Sequence, residues 1–161
     1  MRRVAVIGVG NELLSDEGLG VHAARALLEE SWPDGVEVVE AGTAGFGLIP
    51  LLEGRDAVLF LDVLRADAPP GWIYRFSPDD IPGGRQTDLS MHQFGLLEAL
   101  QLGRLMGLEP EVTILAMVPA DLQTPSTELT LPVRAKLPAF LAAARREIQR
   151  LLEPAPEAWC G

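Results

Sequence analysis

The stretch Gly8-Val9-Gly10-Asn11-Glu12-Leu13-Leu14-Ser15-Asp16-Glu17-Gly18-Leu19-Gly20 decides the reading of this chain. It follows the apolar run Val4 to Ile7, which reads as a buried strand, and precedes an Ala/Leu-rich stretch that reads as a helix. Acidic side chains therefore stand where a strand turns into a helix. In an open α/β sheet that edge is where ligands bind. A glycine-rich turn in this place suggests a dinucleotide, but the third glycine of that fingerprint is missing and the phosphate-loop lysine is absent. Glu12, Asp16 and Glu17 would also repel a pyrophosphate. A tight strand–helix turn with no ligand at all stays open.

Working outward, β-branched and apolar runs predict strands over Val4–Val9, Val36–Glu40, Ala57–Val63, Trp72–Phe76 and Val112–Val118. Helices are predicted over Glu17–Glu30, Gly47–Glu53, Met91–Met106 and Leu131–Leu152. Pro132 suits a first helical turn, whereas Pro138 should kink the last helix or mark its true start. The alternation argues an α/β three-layer sandwich: a mostly parallel, twisted five-stranded sheet with helices on both faces. The link Arg65–Gly71 is too short for a helical crossover, so Trp72–Phe76 is expected as an antiparallel edge strand. Ser77–Leu89, with prolines, glycines and aspartates, reads as a long loop of the kind that is often functional. Residues 1–153 are expected to form one domain and 154–161 a flexible tail.

The 161 residues are 48% hydrophobic with a formal net charge of -10. That length suits one domain with a substantial core. The acidic balance disfavours nucleic acid, and no lysine/arginine run offers a local exception. No stretch is long and apolar enough to insert in a membrane, and the basic N-terminus lacks the apolar core of a signal peptide. A cytoplasmic protein is expected. The single cysteine, Cys160, allows no internal disulfide and falls in the expected tail.

Three separated residues carry candidate chemistry. Glu17 is expected in the first turn of helix one, with Ser15 or Asp16 as cap. The helix dipole favours an acid there. Asp62 ends the apolar run Ala57–Leu61, where a buried acid needs a partner or a cation. Ser90-x-x-Gln93 is a capping-box pattern that puts His92 in the first turn of the third helix, where the neutral, metal-binding imidazole is favoured. Two carboxylates and one imidazole suit a divalent transition ion with positions left open. Each residue also has an ordinary structural reading: a first-turn acid, a loop starter, a polar helix end. His22, five residues past Glu17, is turned away from it and reads as a surface or packing residue. Glu40-Ala41-Gly42-Thr43-Ala44-Gly45 ends the second strand at the same edge. Its glycines allow close approach of a peptide backbone, or mark an ordinary connection.

The pattern Gly8-x-Gly10-Asn11-x-Leu13-x-x-Asp16-Glu17-Gly18-x-Gly20, followed by Gly42-Thr43-x-Gly45, Asp62 and Ser90-x-His92-Gln93, resembles the nickel–iron hydrogenase maturation endopeptidases. Leu129-Thr130-Leu131-Pro132 is a weaker match to that family's final helix entry. The resemblance covers essentially the whole chain, in order. It implies a protease that clips a C-terminal extension from a hydrogenase large-subunit precursor once nickel is loaded. It also implies that Glu17, Asp62 and His92 contact nickel supplied by the substrate, so that the isolated protein need hold no metal. The family usually has Asp where this chain has Glu40, which keeps the charge and lengthens the reach. A Gln-Pro pair common after the last strand appears as Val118-Pro119.

No Ser-His-Asp or Cys-His arrangement is evident and Gly-x-Ser-x-Gly is absent, which favours attack by water. In that reading Glu17, Asp62 and His92 hold the ion and one of the carboxylates acts as base. Two other classes stay open: a metal-dependent aminopeptidase or amidase with a resident ion, and a non-catalytic chaperone that binds the nickel site.

Overall fold

The computed structural model describes residues 2–80 and 91–153, and of residues 91–94 the backbone alone. The expected capping serine Ser90, most of the Ser77–Leu89 loop, the tail 154–161 and Cys160 lie outside the described residues. The strands are β1 (Val4–Val9), β2 (Val36–Gly42), β3 (Ala57–Val63), β4 (Ile73–Phe76) and β5 (Glu111–Met117). The helices are α1 (Leu19–Leu28), α2 (Ile49–Leu52), α3 (Met91–Leu105) and α4 (Leu131–Leu152). The sheet order is β2-β1-β3-β5-β4; the first four are parallel and β4 runs antiparallel to β5 at the edge. Among the described residues no helix is long and apolar enough to cross a membrane.

Every residue of β1 and β3 is buried, as expected of central strands covered on both faces. The period-2 pleat divides them between two apolar layers. Val4, Val6, Leu59 and Leu61 pack with Leu19, Ala23 and Leu27 of α1 and with Phe140, Ala144 and Ile148 of α4. Ala5, Ile7, Val58 and Phe60 pack on the opposite face with Leu52 of α2 and Leu96 and Ala99 of α3.

The departures from the sequence reading are local. Helix one begins at Leu19, and Ser15–Gly18 form a 3-10 turn, with Ser15 in the left-handed region at φ 52°. The second helix is likewise split into a 3-10 turn, Gly45–Leu48, and the short α2. Pro138 lies inside α4, whose start is set upstream, where Arg134 N–H bonds to the Thr130 carbonyl at 2.8 Å.

The 3-10 turn has a reason. Asp16 caps no helix; its carboxylate is fully buried and reaches across to the connection between β5 and α4. Oδ2 accepts the Ala120 N–H at 2.9 Å, the Asp121 N–H at 3.0 Å and the Thr130 hydroxyl at 2.8 Å, while Oδ1 accepts the Thr130 N–H at 2.8 Å. The backbone adds Asp16 N–H to Asp121 O at 3.0 Å and Ser15 N–H to Ser126 O at 2.9 Å. A buried anion is tolerable when its lone pairs are filled in this way.

A second buried acid ties α4 to the sheet. Glu147, 5% exposed, accepts Thr113 Oγ1 at 2.9 Å, Arg75 Nε at 2.7 Å and Arg150 Nη2 at 2.7 Å. Burial pushes its pKa up, but the hydrogen bonds from Arg75, Arg150 and Thr113 outweigh burial and hold it at about 2.

Asp16→Asn should lower stability by about 3 kcal/mol, because an amide turns a donor towards backbone donors and leaves buried groups unmatched. Urea unfolding at neutral pH measures this. For Glu147 the folded value lies below the ordinary 4.5. Its stabilisation is therefore full above pH 4.5 and lost as pH falls towards about 2. The difference in thermal midpoint between wild type and Glu147→Gln should be largest near neutrality and shrink through that window.

Candidate functional site

The glycines of the opening motif are close-contact residues. A Cβ on Gly20 would lie 2.2 Å from the Leu61 carbonyl oxygen and 2.4 Å from that of Val9. Gly10, at φ 132°, would bring one to 2.0 Å from the Glu17 carbonyl oxygen. The start of α1 is thus seated directly on the ends of β1 and β3, and the half-buried Glu17 sits in the turn just before it.

Asp62 is the penultimate residue of β3 and fully buried. One of its oxygens, Oδ1, accepts the Val63 N–H at 2.7 Å. By the pleat its side chain shares a face with Val58, Phe60 and Leu64, the face covered by α2 and α3.

His92 lies in the first turn of α3; its side chain is outside the described residues. The helix leads through residues 106–110 into β5, whose start is at the amino edge of the sheet, so its first turn is at the carboxyl edge. Its neighbours agree. A Cβ on Gly95 would meet Gly45 Cα at 3.7 Å, and one on Gly103 would meet Leu52 Cδ1 at 3.1 Å. The backbone therefore brings the Glu17 turn, the end of β3 and the first turn of α3 to one sheet edge. Among the described residues, no three His, Cys, Asp or Glu side chains group closely enough to hold a metal, and His92 is not among those side chains.

Glu40, expected as part of a substrate loop, has a definite partner. Arg25 of α1 pairs with Glu40 Oε1 at 2.6 Å and with Glu12 Oε2 at 2.6 Å. The hydrogen bond from Arg25 lowers the Glu12 pKa, and the same bond raises that of Arg25. Gly42 (φ 58°) and Gly45 (φ 55°) take left-handed conformations, and Thr43 between them is exposed. Gly10–Leu13 and Glu40–Thr43 line an open hollow of about 450 Å³. The part of Arg25 was not legible in the sequence, since nothing local pairs it with acids 13 and 15 positions away. His22 is half-buried, with Nε2 3.1 Å from the Thr127 carbonyl oxygen, as befits a packing residue.

A model of the hydrogenase maturation protease family, HycI, matches residues 21–147. Hydrogenase 2 maturation protease of Escherichia coli K12 is 35% identical over 152 residues, covering 90% of this chain and 92% of its own. The hydrogenase expression/formation protein HupD of Rhizobium leguminosarum bv. viciae is 32% identical over 152 residues, covering 91% and 74%. Among solved structures, the hydrogenase maturating endopeptidase HybD from E. coli superposes with a TM-score of 0.84 at 31% identity over 92% of this chain and 93% of that one. The HybD maturation protease from Thermococcus kodakarensis superposes with a TM-score of 0.74 at 28% identity, over 90% and 98%. Motif, fold and relatives converge: the chain belongs to the hydrogenase maturation proteases and is a peptidase.

Proposed function

We propose that this protein removes the C-terminal extension of a nickel–iron hydrogenase large-subunit precursor after nickel insertion, and that Glu17, Asp62 and His92 read the nickel already bound in that substrate. One observation carries the reading: a fully buried aspartate stands next to the last residue of the central strand β3, on the face covered by the helix whose first turn holds His92. Glu17 belongs to the turn seated on the same strand end. Oxygen and imidazole donors from three elements suit a divalent transition ion while leaving positions for the substrate's own ligands. Nickel arrives with the precursor, so an unloaded precursor offers these residues nothing to grip.

The reaction is hydrolysis. Water adds to the scissile carbonyl, the C–N bond breaks, and the leaving amine takes up a proton. Glu17 or Asp62 receives the proton released by the attacking water. The protein acts in the cytoplasm and needs no resident metal of its own.

Mass spectrometry of a nickel-loaded and a nickel-free precursor, incubated with wild type, Glu17→Gln and His92→Ala, tests this reading. Wild type should shorten the loaded precursor alone, and each variant should slow that cleavage by about 100-fold or more while keeping its thermal midpoint. Full activity in both variants would remove the assigned roles. A stoichiometric metal in the isolated protein would instead favour a metallo-amidase with a resident ion.

A further inference from the structure

The edge strand β2 has an unused side. Among the described residues it pairs only with β1, and α1 covers one of its faces. The phase of the ladder is set by the bond from Val4 N–H to the Gly35 carbonyl at 2.8 Å. With the parallel register Val4↔Val36 and Val6↔Val38, Glu37 and Val39 direct their N–H and C=O groups towards β1. Val38 and Glu40 then direct theirs outward. Among the described residues nothing bonds to the backbone groups of those two. The opposite edge strand, β4, has four residues, whereas β2 has seven, without proline or lysine to blunt it.

The same strand runs into the candidate site. Its last residues, Glu40 to Gly42, form one wall of the hollow whose other wall is Gly10–Leu13, the segment leading to Glu17. We infer that β2 is a docking edge: an extended segment of the precursor, flanking the bond to be cut, adds to it as a sixth strand through Val38 and Glu40, and the hollow takes the residues that follow. This rests on the protease reading above. An added strand holds a chain by its backbone, so alternate side chains, rather than all of them, set the preference of the edge. It also gives the precursor's extension a defined direction towards the sheet edge that carries Glu17 and Asp62.

Proline at an outward N–H tests the inference with little harm to the ladder, because Val38 gives no hydrogen bond to β1. In cleavage of a nickel-loaded large-subunit precursor, Val38→Pro should raise KM at least tenfold and leave kcat within about twofold. Glu17→Gln should lower kcat, the parameter that Val38→Pro spares, so the docking edge and the catalytic assignment fail separately. Amide exchange gives a second readout on the unmodified protein. A saturating synthetic peptide spanning the cut site should slow exchange at Val38 and Glu40 and leave the already bonded Glu37 and Val39 unchanged. Unaltered KM in a folded Val38→Pro variant, or no change in exchange at Val38 and Glu40, would overturn the proposal. Should Val38→Pro fail to fold, the exchange experiment decides alone.

Discussion

A single buried carboxylate organises the edge of this molecule. Asp16 has no cation beside it among the described residues; its charge is met by three backbone N–H groups and one hydroxyl. Those donors come from both ends of the connection between β5 and α4. The turn that bears Glu17 is therefore fastened to a segment more than a hundred residues away in the chain. Without that tie, the conformation of Ser15 at φ 52° would have little to offset its strain. The pair Asp16-Glu17 thus divides its labour: one acid faces inward and holds the turn, while its neighbour stands half-buried at the edge.

Much of this was legible beforehand because burial leaves a simple signature. Strand β1 is apolar throughout and β3 is apolar up to Asp62, so their central place in a parallel sheet follows, and an acid near the end of β3 could only stand at the sheet edge. The brevity of the link between β3 and β4 announced the antiparallel edge. What stayed hidden was long-range and polar. Asp16 looks like a helix cap because nothing in its neighbourhood shows that Thr130 will meet it. The start of helix one was misplaced by two residues for the same reason: the tertiary clamp overrides local capping preference. Glu147 drew no attention in the sequence, yet it is sunk between β4, β5 and Arg150.

Glu40 has a definite physical role. Its side chain reaches Arg25, which at the same time holds Glu12 from the opposite wall. One guanidinium thereby spans the two segments that line the hollow and offsets two negative charges in a chain that already carries a net -10. A glutamate engaged in this way is a strut of the wall. The pair is solvent-exposed and so contributes little to overall stability, but it sets where the wall stands.

The contact of Gly20 with the carbonyl oxygens of Val9 and Leu61 has a mechanical corollary. Helix and strand ends meet with no space for even one methyl group, so this seat can neither tilt nor slide without breaking the core. The carboxylate-bearing corner is in that sense an anvil. Whatever meets that corner has to fit it as it stands, because the seat itself has no room to give.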